Sequence, residues 1–306
     1  MIASSGASSV AAIDCGTNTI RLLIGELPEV SVREERLVRL GEGVDRTGRL
    51  DDAALVRVFS AIDEYAALVE QHDVERIRFC ATSATRDAAN AEVFSEGVLA
   101  RLGVRPEVLT GAEEAALAFD GAVRNLAIAP AHPVLVVDVG GGSTELILGT
   151  EQPESAASMD IGSVRLHERL LHDDPPTPEQ IEACVAAIDA ALDDCAVSPA
   201  AAATVVGVAG TVTTLAAGVL DLPAYAREAI DQQVLRVDAV HDYVDRLVAM
   251  TVAERLALPY LHPGRADVID AGALIVSRVL RRAPVATMVV SESDILDGIA
   301  WSIAFG

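Results

Sequence analysis

The stretch Val137–Gly149, VDVGGGSTELILG, determines the expected fold of this chain, and it has a counterpart near the N-terminus. The counterpart, Ile13–Gly25, reads IDCGTNTIRLLIG and aligns with it without a gap, so that Asp14 matches Asp138, 124 residues later. Each stretch is an apolar run, a turn that begins Asp-x-Gly and a second apolar run, which predicts a β-hairpin. A repeat at this distance is too long for a solenoid and indicates a duplicated domain.

Strand and helix patterns alternate beyond the two hairpins, as in α/β proteins. We expect the hairpins to be followed by third strands at Arg36–Gly43 and Ser158–Gly162. Asp51 is expected to cap a helix over Asp52–Gln71, whose apolar residues recur at helical spacing. The segment Asn125–Pro133, with two prolines, is the expected domain boundary. Further helices are predicted over Asn90–Leu102, Gly111–Val123, Glu179–Cys195, Val237–Met250, Ala266–Arg282 and Asp294–Ile303.

The composition narrows the range of functions. The 306 residues carry a net charge of −23, and all 23 basic residues are arginine. The absence of lysine excludes a P-loop lysine and a Schiff-base lysine, so an anion site must use Arg, backbone N–H groups or a metal ion. The acidic charge and the aromatic content of 3% argue against nucleic acid or membrane as partners. Four cysteines without disulfide or zinc spacing indicate a cytoplasmic location.

The Asp-x-Gly turns have the chemistry of a phosphate site. Glycine lets a phosphate approach the backbone N–H groups, Ser and Thr add hydroxyl donors, and Asp can hold Mg²⁺ directly or through water. Two such turns on either side of a domain cleft would hold a phosphate chain. A third turn, at the start of a helix, offers further N–H groups. The candidate phosphate-binding residues are Gly16, Thr17, Asn18, Gly140, Gly141, Gly142, Ser143, Gly210 and Thr211.

A series of motifs extends this interpretation over nearly the whole chain: DCGTNTIRLLI, ATSATRDA, TGAEEAALAFDGAV, VDVGGGSTELILG, DIGSVRL, VAGTVTTLAA, HPGRADVIDAGALIV and SESDILDGIAWSI. Together they resemble the exopolyphosphatase and guanosine-pentaphosphate phosphatase (Ppx/GppA) family, in a short, two-domain, actinobacterial-type form. The resemblance implies an α/β fold of two actin-like (ribonuclease H-like, ASKHA) domains with a cleft between them. Residues 1–125 would form domain I, completed by a C-terminal helix at about 294–306, and residues 126–293 domain II.

The resemblance also implies an activity. The expected reaction is Mg²⁺-dependent, or Mn²⁺-dependent, processive hydrolysis of the terminal phosphate of inorganic polyphosphate by a Glu-activated water. The same chemistry on guanosine pentaphosphate (pppGpp) is the alternative. A sugar or acetate kinase of the same fold and a non-catalytic polyphosphate or nucleotide sensor are more distant alternatives. We also expect a homodimer.

The general base is expected in the Glu-Glu-Ala motif. Bound phosphates and partial burial would raise the pKa of a carboxyl group there, which suits proton abstraction from water. The family motif aligns with Glu114 as the base. Glu113 is the alternative, because adjacent helical residues point about 100° apart and one of the two can face the site.

Further roles follow from the resemblance. Asp138, Glu145 and Asp14 would bind the metal ion, and Glu145 would also help to place the nucleophilic water. Arg86, which follows a strand, is expected to stabilise charge on the transferred phosphate. Arg165 and Arg265 are weaker candidates for contacts with the distal phosphate chain. The chain departs from the family at Leu296-Asp297-Gly298, where many members have Arg-Glu-Gly, so any contact made by that arginine is missing here.

Overall fold

The computed structural model describes residues 9–81, 83–86 and 88–305. Packing contacts divide the chain into two units. The first holds the chain up to Thr110 together with the C-terminal segment from Ile295, and the second holds Gly111–Asp294. Among the described residues, no helix has both the length and the apolar character needed to cross a membrane.

The first unit is built on one mixed β-sheet. Its strands are β1 (Val10–Cys15), β2 (Thr19–Glu26), β3 (Glu29–Leu37), β4 (Arg76–Ala81) and β5 (Glu107–Val108). They lie in the order β3-β2-β1-β4-β5, with β2 antiparallel to both neighbours and β4 parallel to β1 and β5. The helices of this unit are α1 (Val44–Thr47), α2 (Asp52–Gln71), α3 (Ser83–Arg86), α4 (Ala91–Leu102) and, last in the chain, α13 (Ile295–Phe305). Helix α13 packs on β1, β2 and β4.

The second unit contains a six-stranded sheet. Its strands are β6 (Val134–Val139), β7 (Thr144–Gly149), β8 (Pro153–Met159), β9 (Thr204–Val208), β10 (Val234–Arg236) and β11 (Thr287–Val290). They lie in the order β10-β11-β9-β6-β7-β8. The helices are α5 (Gly111–Arg124), α6 (Ser163–Leu170), α7 (Pro178–Asp193), α8 (Ala209–Val219), α9 (Arg227–Ile230), α10 (Val237–Val248), α11 (Val252–Leu256) and α12 (Ile269–Arg282), with short 3₁₀ turns at Pro199–Ala201 and Pro263–Arg265.

The duplication predicted from the sequence is confirmed by the topology of the two sheets. The order β3-β2-β1-β4-β5 corresponds to β8-β7-β6-β9-β11, and each hairpin strand pairs in the same direction as its counterpart. The two turns also share a hydrogen bond: Gly16 N–H donates to Thr19 O at 2.9 Å, and Gly140 N–H donates to Ser143 O at 3.0 Å. The turns therefore have related backbones and differ mainly in their side chains.

Helix α5 belongs to the second unit. It packs against β6, β7 and β8, and its buried face includes Ala115, Ala118 and Phe119. The boundary between the units therefore lies between Thr110 and Gly111, earlier than the Asn125–Pro133 segment expected from its prolines. The proline segment instead connects α5 to β6, and both of these elements belong to the second unit.

The third strand of each repeat begins earlier than the sequence indicated. β3 covers Glu29–Leu37 where Arg36–Gly43 was expected, and β8 covers Pro153–Met159 where Ser158–Gly162 was expected. Both strands lie at a sheet edge, and most of their residues are exposed or half-buried. An edge strand of this kind needs no apolar run, so hydrophobic patterning did not reveal it.

Helix α2 has both the predicted N-terminal cap and the predicted apolar face. The Asp51 side chain accepts hydrogen bonds from the N–H groups of Ala53 and Ala54, which caps the first turn. The predicted apolar face is buried at Leu55, Val58, Ile62 and Tyr65. Capping and periodicity therefore agree, and the helix covers the first sheet with its apolar side.

Candidate active site

Two buried carboxylates lie opposite each other on the hairpin of the second unit. Asp138 on β6 and Glu145 on β7 are paired in the antiparallel register, which places their side chains on one face of the sheet. Their exposed fractions are 7% and 2%. Like charges in this arrangement repel, so the ionised pair needs nearby donors or a cation. Ser158 on β8 supplies one donor, since its Oγ donates to Glu145 Oε1 at 2.7 Å.

The glycine turn between these acids is held by helix α6. The N–H groups of Ser163 and Val164 donate to Gly140 O and Gly141 O, both at 2.9 Å. In a trans peptide the C=O and the following N–H point in opposite directions. The N–H groups of Gly141 and Gly142 therefore point away from α6. A turn fixed in this way presents backbone donors to an anion without reorganisation.

A second group of N–H donors lies at the start of α8. Strand β9 is parallel to β6, with Val208 paired to Asp138, so α8 begins at the edge of the sheet where Asp138 lies. Thr211 Oγ1 donates to Val139 O at 2.9 Å and ties α8 to the hairpin. The junction residue Ala209 has φ 62°, in the left-handed region that non-glycine residues rarely occupy. Such backbone strain is typical of functional sites.

Both arginines proposed for the distal phosphate chain lie beside these turns. A Cβ atom on Gly210 would be 1.9 Å from Arg265 Nη1, so the guanidinium packs directly on the first turn of α8. The backbone N–H of Arg165 donates to Gly141 O at 3.1 Å, and its Nη1 is 3.7 Å from Asp160 Oδ1. Arg265 therefore brings positive charge to the α8 turn, whereas Arg165 contacts the glycine turn through its backbone and has its guanidinium near Asp160.

The two glutamates of the Glu-Glu-Ala motif differ in burial. Glu114 is 7% exposed, whereas Glu113 is exposed. Both lie in the first turn of α5, which packs against β7 and β8. The helix therefore turns Glu114 towards the protein and Glu113 towards solvent, as expected for neighbours about 100° apart. Burial therefore distinguishes the two glutamates, and the assignment of Glu114 as the base stays a prediction.

The turn of the first unit has a different charge pattern. Asp14 is 3% exposed and is paired in register with Arg21, whose Nη2 donates to Asp14 Oδ2 at 2.5 Å. In the gapless repeat alignment Arg21 occupies the position of Glu145. The first turn thus combines one acid with one cation, while the second combines two acids. Arg21 was not among the residues predicted from the sequence, although the alignment of the repeats contains this exchange.

The remaining predicted phosphate ligands of the first unit lie close to the Asp14 turn or follow β4. Thr17 and Asn18 are buried, and their carbonyl oxygens accept hydrogen bonds from the segment after β3. Arg86 is exposed at the end of α3, and its Nη1 donates to Leu109 O at 2.8 Å. Leu109 directly follows β5, so Arg86 lies at the carboxyl-terminal edge of the first sheet, where α/β proteins bind ligands.

A polar cluster borders the first turns of α8. The Tyr225 hydroxyl is 2.5 Å from Glu292 Oε1 and 3.0 Å from Thr213 Oγ1, and Arg227 Nη1 is 3.0 Å from Glu292 Oε2. Burial raises the pKa of the Glu292 carboxyl group above its ordinary value. The cluster ties the segment before α9 to α8 and thereby supports the turn that begins at Ala209.

The buried acids of the second unit suit a magnesium ion whose remaining ligands come from water and substrate. In the described part of the chain, no three His, Cys, Asp or Glu side chains are grouped closely enough to hold a metal on their own. Mg²⁺ in phosphate-processing enzymes is commonly bound by one or two carboxylates together with water and substrate phosphates. The buried pair of Asp138 and Glu145 is a donor set of that kind.

A duplicated α/β architecture with an Asp-x-Gly turn in each unit is what the family resemblance of the motifs implies for a phosphatase of this kind. Residues 24–304 match the Ppx/GppA phosphatase family, and the chain belongs to this family.

Individual relatives agree with this assignment. The chain is 47% identical over 315 residues to Exopolyphosphatase 2 of Mycobacterium tuberculosis, covering 96% of this chain and 98% of that protein. It superposes on the crystal structure of an exopolyphosphatase-like protein with a TM-score of 0.93 and 43% identity, covering 97% and 98% of the two chains. A guanosine-5'-triphosphate,3'-diphosphate pyrophosphatase of Photobacterium profundum is 32% identical over 188 residues, which are 60% of this chain and 37% of that protein. The resemblance inferred from the motifs is therefore confirmed.

Proposed function

We propose that this protein is an exopolyphosphatase that releases the terminal phosphate of inorganic polyphosphate. The observation that carries the proposal is the buried pair of Asp138 and Glu145 beside the glycine turn, with Glu114 buried on the helix that covers the same strands. The 47% identity to a protein named exopolyphosphatase supports polyphosphate as the substrate.

The terminal phosphate is held by donors of the second unit. The N–H groups of Gly141 and Gly142 and those at the start of α8 would bind its oxygens, and Arg265 adds positive charge beside α8. These fixed donors offset charge on the transferred group, which is usually the largest contribution to catalysis of this kind. With a net charge of −23, the protein repels a polyanion at long range, so such local donors must dominate binding.

Hydrolysis requires a base for the attacking water. In this proposal the Glu114 carboxylate accepts a proton from water, and the water oxygen attacks the terminal phosphorus in line with the bridging oxygen that leaves. The bond between phosphorus and that bridging oxygen breaks, which gives orthophosphate and a chain shorter by one phosphate. Glu145, opposite Asp138 and fixed by Ser158, would hold the attacking water in place.

Asp138 and Glu145 would hold Mg²⁺, or Mn²⁺, because their oxygens suit hard cations and a cation relieves their mutual repulsion. A divalent ion held by these carboxylates would neutralise charge on the phosphate oxygens and on the leaving chain. Asp14 is a weaker candidate ligand, since Arg21 already neutralises its carboxylate. Arg86 is proposed to stabilise charge on the transferred phosphate.

Further properties are proposed from the family resemblance. We propose processive action, because a polyphosphate chain that is shortened by one unit retains its remaining contacts. A cytoplasmic location is proposed because the four cysteines lack disulfide and zinc spacing in the sequence. A homodimer is proposed as the assembly.

A phosphate-release assay with polyphosphate, pppGpp and ATP side by side tests the proposal. We expect Mg²⁺-dependent release from long-chain polyphosphate, and release lower by about 10³-fold with the Glu114→Gln variant, which controls for contaminating phosphatase. Preferential hydrolysis of pppGpp would replace the proposal with the alternative substrate, which is the one that the Photobacterium relative's name indicates. Full polyphosphate activity in the Glu114→Gln variant would reject Glu114 as the base.

A further inference from the structure

Glu145 lies on β7, the middle one of three adjacent antiparallel strands. Strand β7 pairs with β6 on one side and with β8 on the other, so Glu145 is opposite both Asp138 and Ser158. All three side chains lie on the same face of the sheet, because directly opposite residues in antiparallel strands share a face. The Glu145 carboxylate therefore has an acid on one flank and a hydroxyl on the other.

The hydroxyl makes a direct hydrogen bond to the carboxylate. Ser158 Oγ donates to Glu145 Oε1 at 2.7 Å, an ordinary length for a hydrogen bond from a hydroxyl. The bond engages Oε1, so it restricts how the carboxylate can turn towards the ion or the attacking water.

Helix α5 closes over the same serine. A Cβ atom on Gly111 would lie 2.6 Å from Ser158 Cβ and 3.3 Å from its Oγ, far inside van der Waals contact. The first residue of α5 thus rests directly on Ser158. Glu114 follows three residues later, and residues three apart share a face of a helix. Ser158 therefore contacts both elements that carry the proposed catalytic acids.

We infer that Ser158 is a positioning residue, which fixes the orientation of Glu145 and, through its contact with Gly111, the position of the helix that carries Glu114. This inference rests on the proposed function, because it assigns a role to a side chain that acts through Glu145. The hydrogen bond acts on the orientation of the Glu145 carboxylate more than on the binding of the polyphosphate chain. Removing it should therefore lower turnover more than substrate binding.

The central experiment compares Ser158→Ala with Ser155→Ala. Ser155 lies on the same strand, is also half-buried and is paired with Leu148, so it controls for the loss of a serine from β8. For Ser158→Ala we expect kcat on polyphosphate to fall about tenfold to a hundredfold, with KM changed less than about threefold, as for the loss of a hydrogen bond to a charged group. Ser155→Ala should retain the kcat and KM of the parent protein.

A direct binding measurement gives a readout other than turnover. Mn²⁺ is titrated into each protein without substrate, and the free ion is followed by electron paramagnetic resonance. Ser158→Ala should bind Mn²⁺ about threefold to thirtyfold more weakly, because a mobile Glu145 is a poorer ligand. Ser155→Ala should bind as the parent does. Equal Mn²⁺ binding and equal kcat in the two serine variants would overturn the inference.

Two further variants separate the possible failures. Gly111→Ala keeps the Ser158 hydroxyl but displaces it, so it should reproduce the loss of kcat, and the double variant with Ser158→Ala should lose less than the sum of the two. Full additivity would contradict a shared route through Ser158. Glu145→Gln tests the proposed function itself. If it is inactive while Ser158→Ala behaves as the parent, the positioning role alone fails; if it is fully active, the role of Glu145 fails and the inference with it.

Discussion

Substitution of the two adjacent glutamates of α5 provides the sharpest test of the proposed mechanism. Glu114→Gln keeps the size of the side chain but removes its capacity to accept a proton at neutral pH. General-base catalysis contributes about 10²–10⁴-fold, which corresponds to about 2.7–5.4 kcal/mol of transition-state stabilisation. Because Glu114 is 7% exposed, bulk solvent has little access to replace it. We therefore expect kcat to fall about 10³-fold or more.

The neighbouring residue supplies the matched control. Glu113 is exposed, and substitutions at exposed positions usually change free energies by no more than about 0.5 kcal/mol. Glu113→Gln should thus retain kcat within about a factor of two. Both variants have the same change of charge and composition, so the difference between them isolates the direction in which each side chain points.

The assay is steady-state phosphate release from long-chain polyphosphate as a function of pH. The parent protein should lose activity as the pH falls through the titration of the base, and the residual activity of Glu114→Gln should not show that acid limb. KM should change little, because glutamine preserves shape. An inactive Glu113→Gln beside an active Glu114→Gln would refute the reasoning from burial. Full activity in both would place water activation elsewhere, with Glu145 as the next candidate.

Two further predictions concern the metal site and a peripheral ion-pair network. Asp138→Asn should raise the Mg²⁺ concentration needed for half-maximal phosphate release about tenfold or more. Asp14→Asn should raise this concentration much less, since Arg21 already neutralises Asp14. Equal effects of the two substitutions would assign both acids to the metal. Although burial opposes its ionisation, hydrogen bonds from two arginines, among them Arg278, hold the pKa of Asp189 below its ordinary value. A lowered pKa stabilises the fold above the unfolded-state value and loses that contribution as the pH falls through the folded-state value. Asp189→Asn should therefore lower the free energy of unfolding by about 1 kcal/mol at pH 7 and by progressively less towards pH 3, measured by urea denaturation; a constant difference would contradict the linkage.

The duplicated architecture could be predicted from the sequence because its signals are local. An apolar run, an Asp-x-Gly turn and a second apolar run form a hairpin through neighbouring residues, and two copies of this pattern indicate two related domains. Helix α2 was predictable for the same reason, since Asp51 and the apolar spacing lie within one segment. The edge strands β3 and β8 were misplaced because exposure on one side removes the apolar pattern on which the prediction depends.

The motifs of the candidate site were also visible in the sequence, although their partners were not. Glu114, Asp138 and Glu145 could be named from motif and spacing. The choice between Glu113 and Glu114 required the packing of α5 on the second sheet, because adjacent helical residues differ only in which direction they face. The same packing decided that α5 belongs to the second unit, a contact between elements that no local pattern encodes.

The sequence by itself thus determined the family, the two repeated turns and the acids they carry, since each depends on residues close together in the chain. Tertiary structure alone decided how those acids are held. Ser158 reaches Glu145 across a strand pair, and Gly111 reaches Ser158 from a helix 47 positions earlier in the chain. Such contacts arise from the register of strands and the close approach of a helix backbone. Neither can be derived from residue identity, because both depend on how strands and helices distant in the chain pack together.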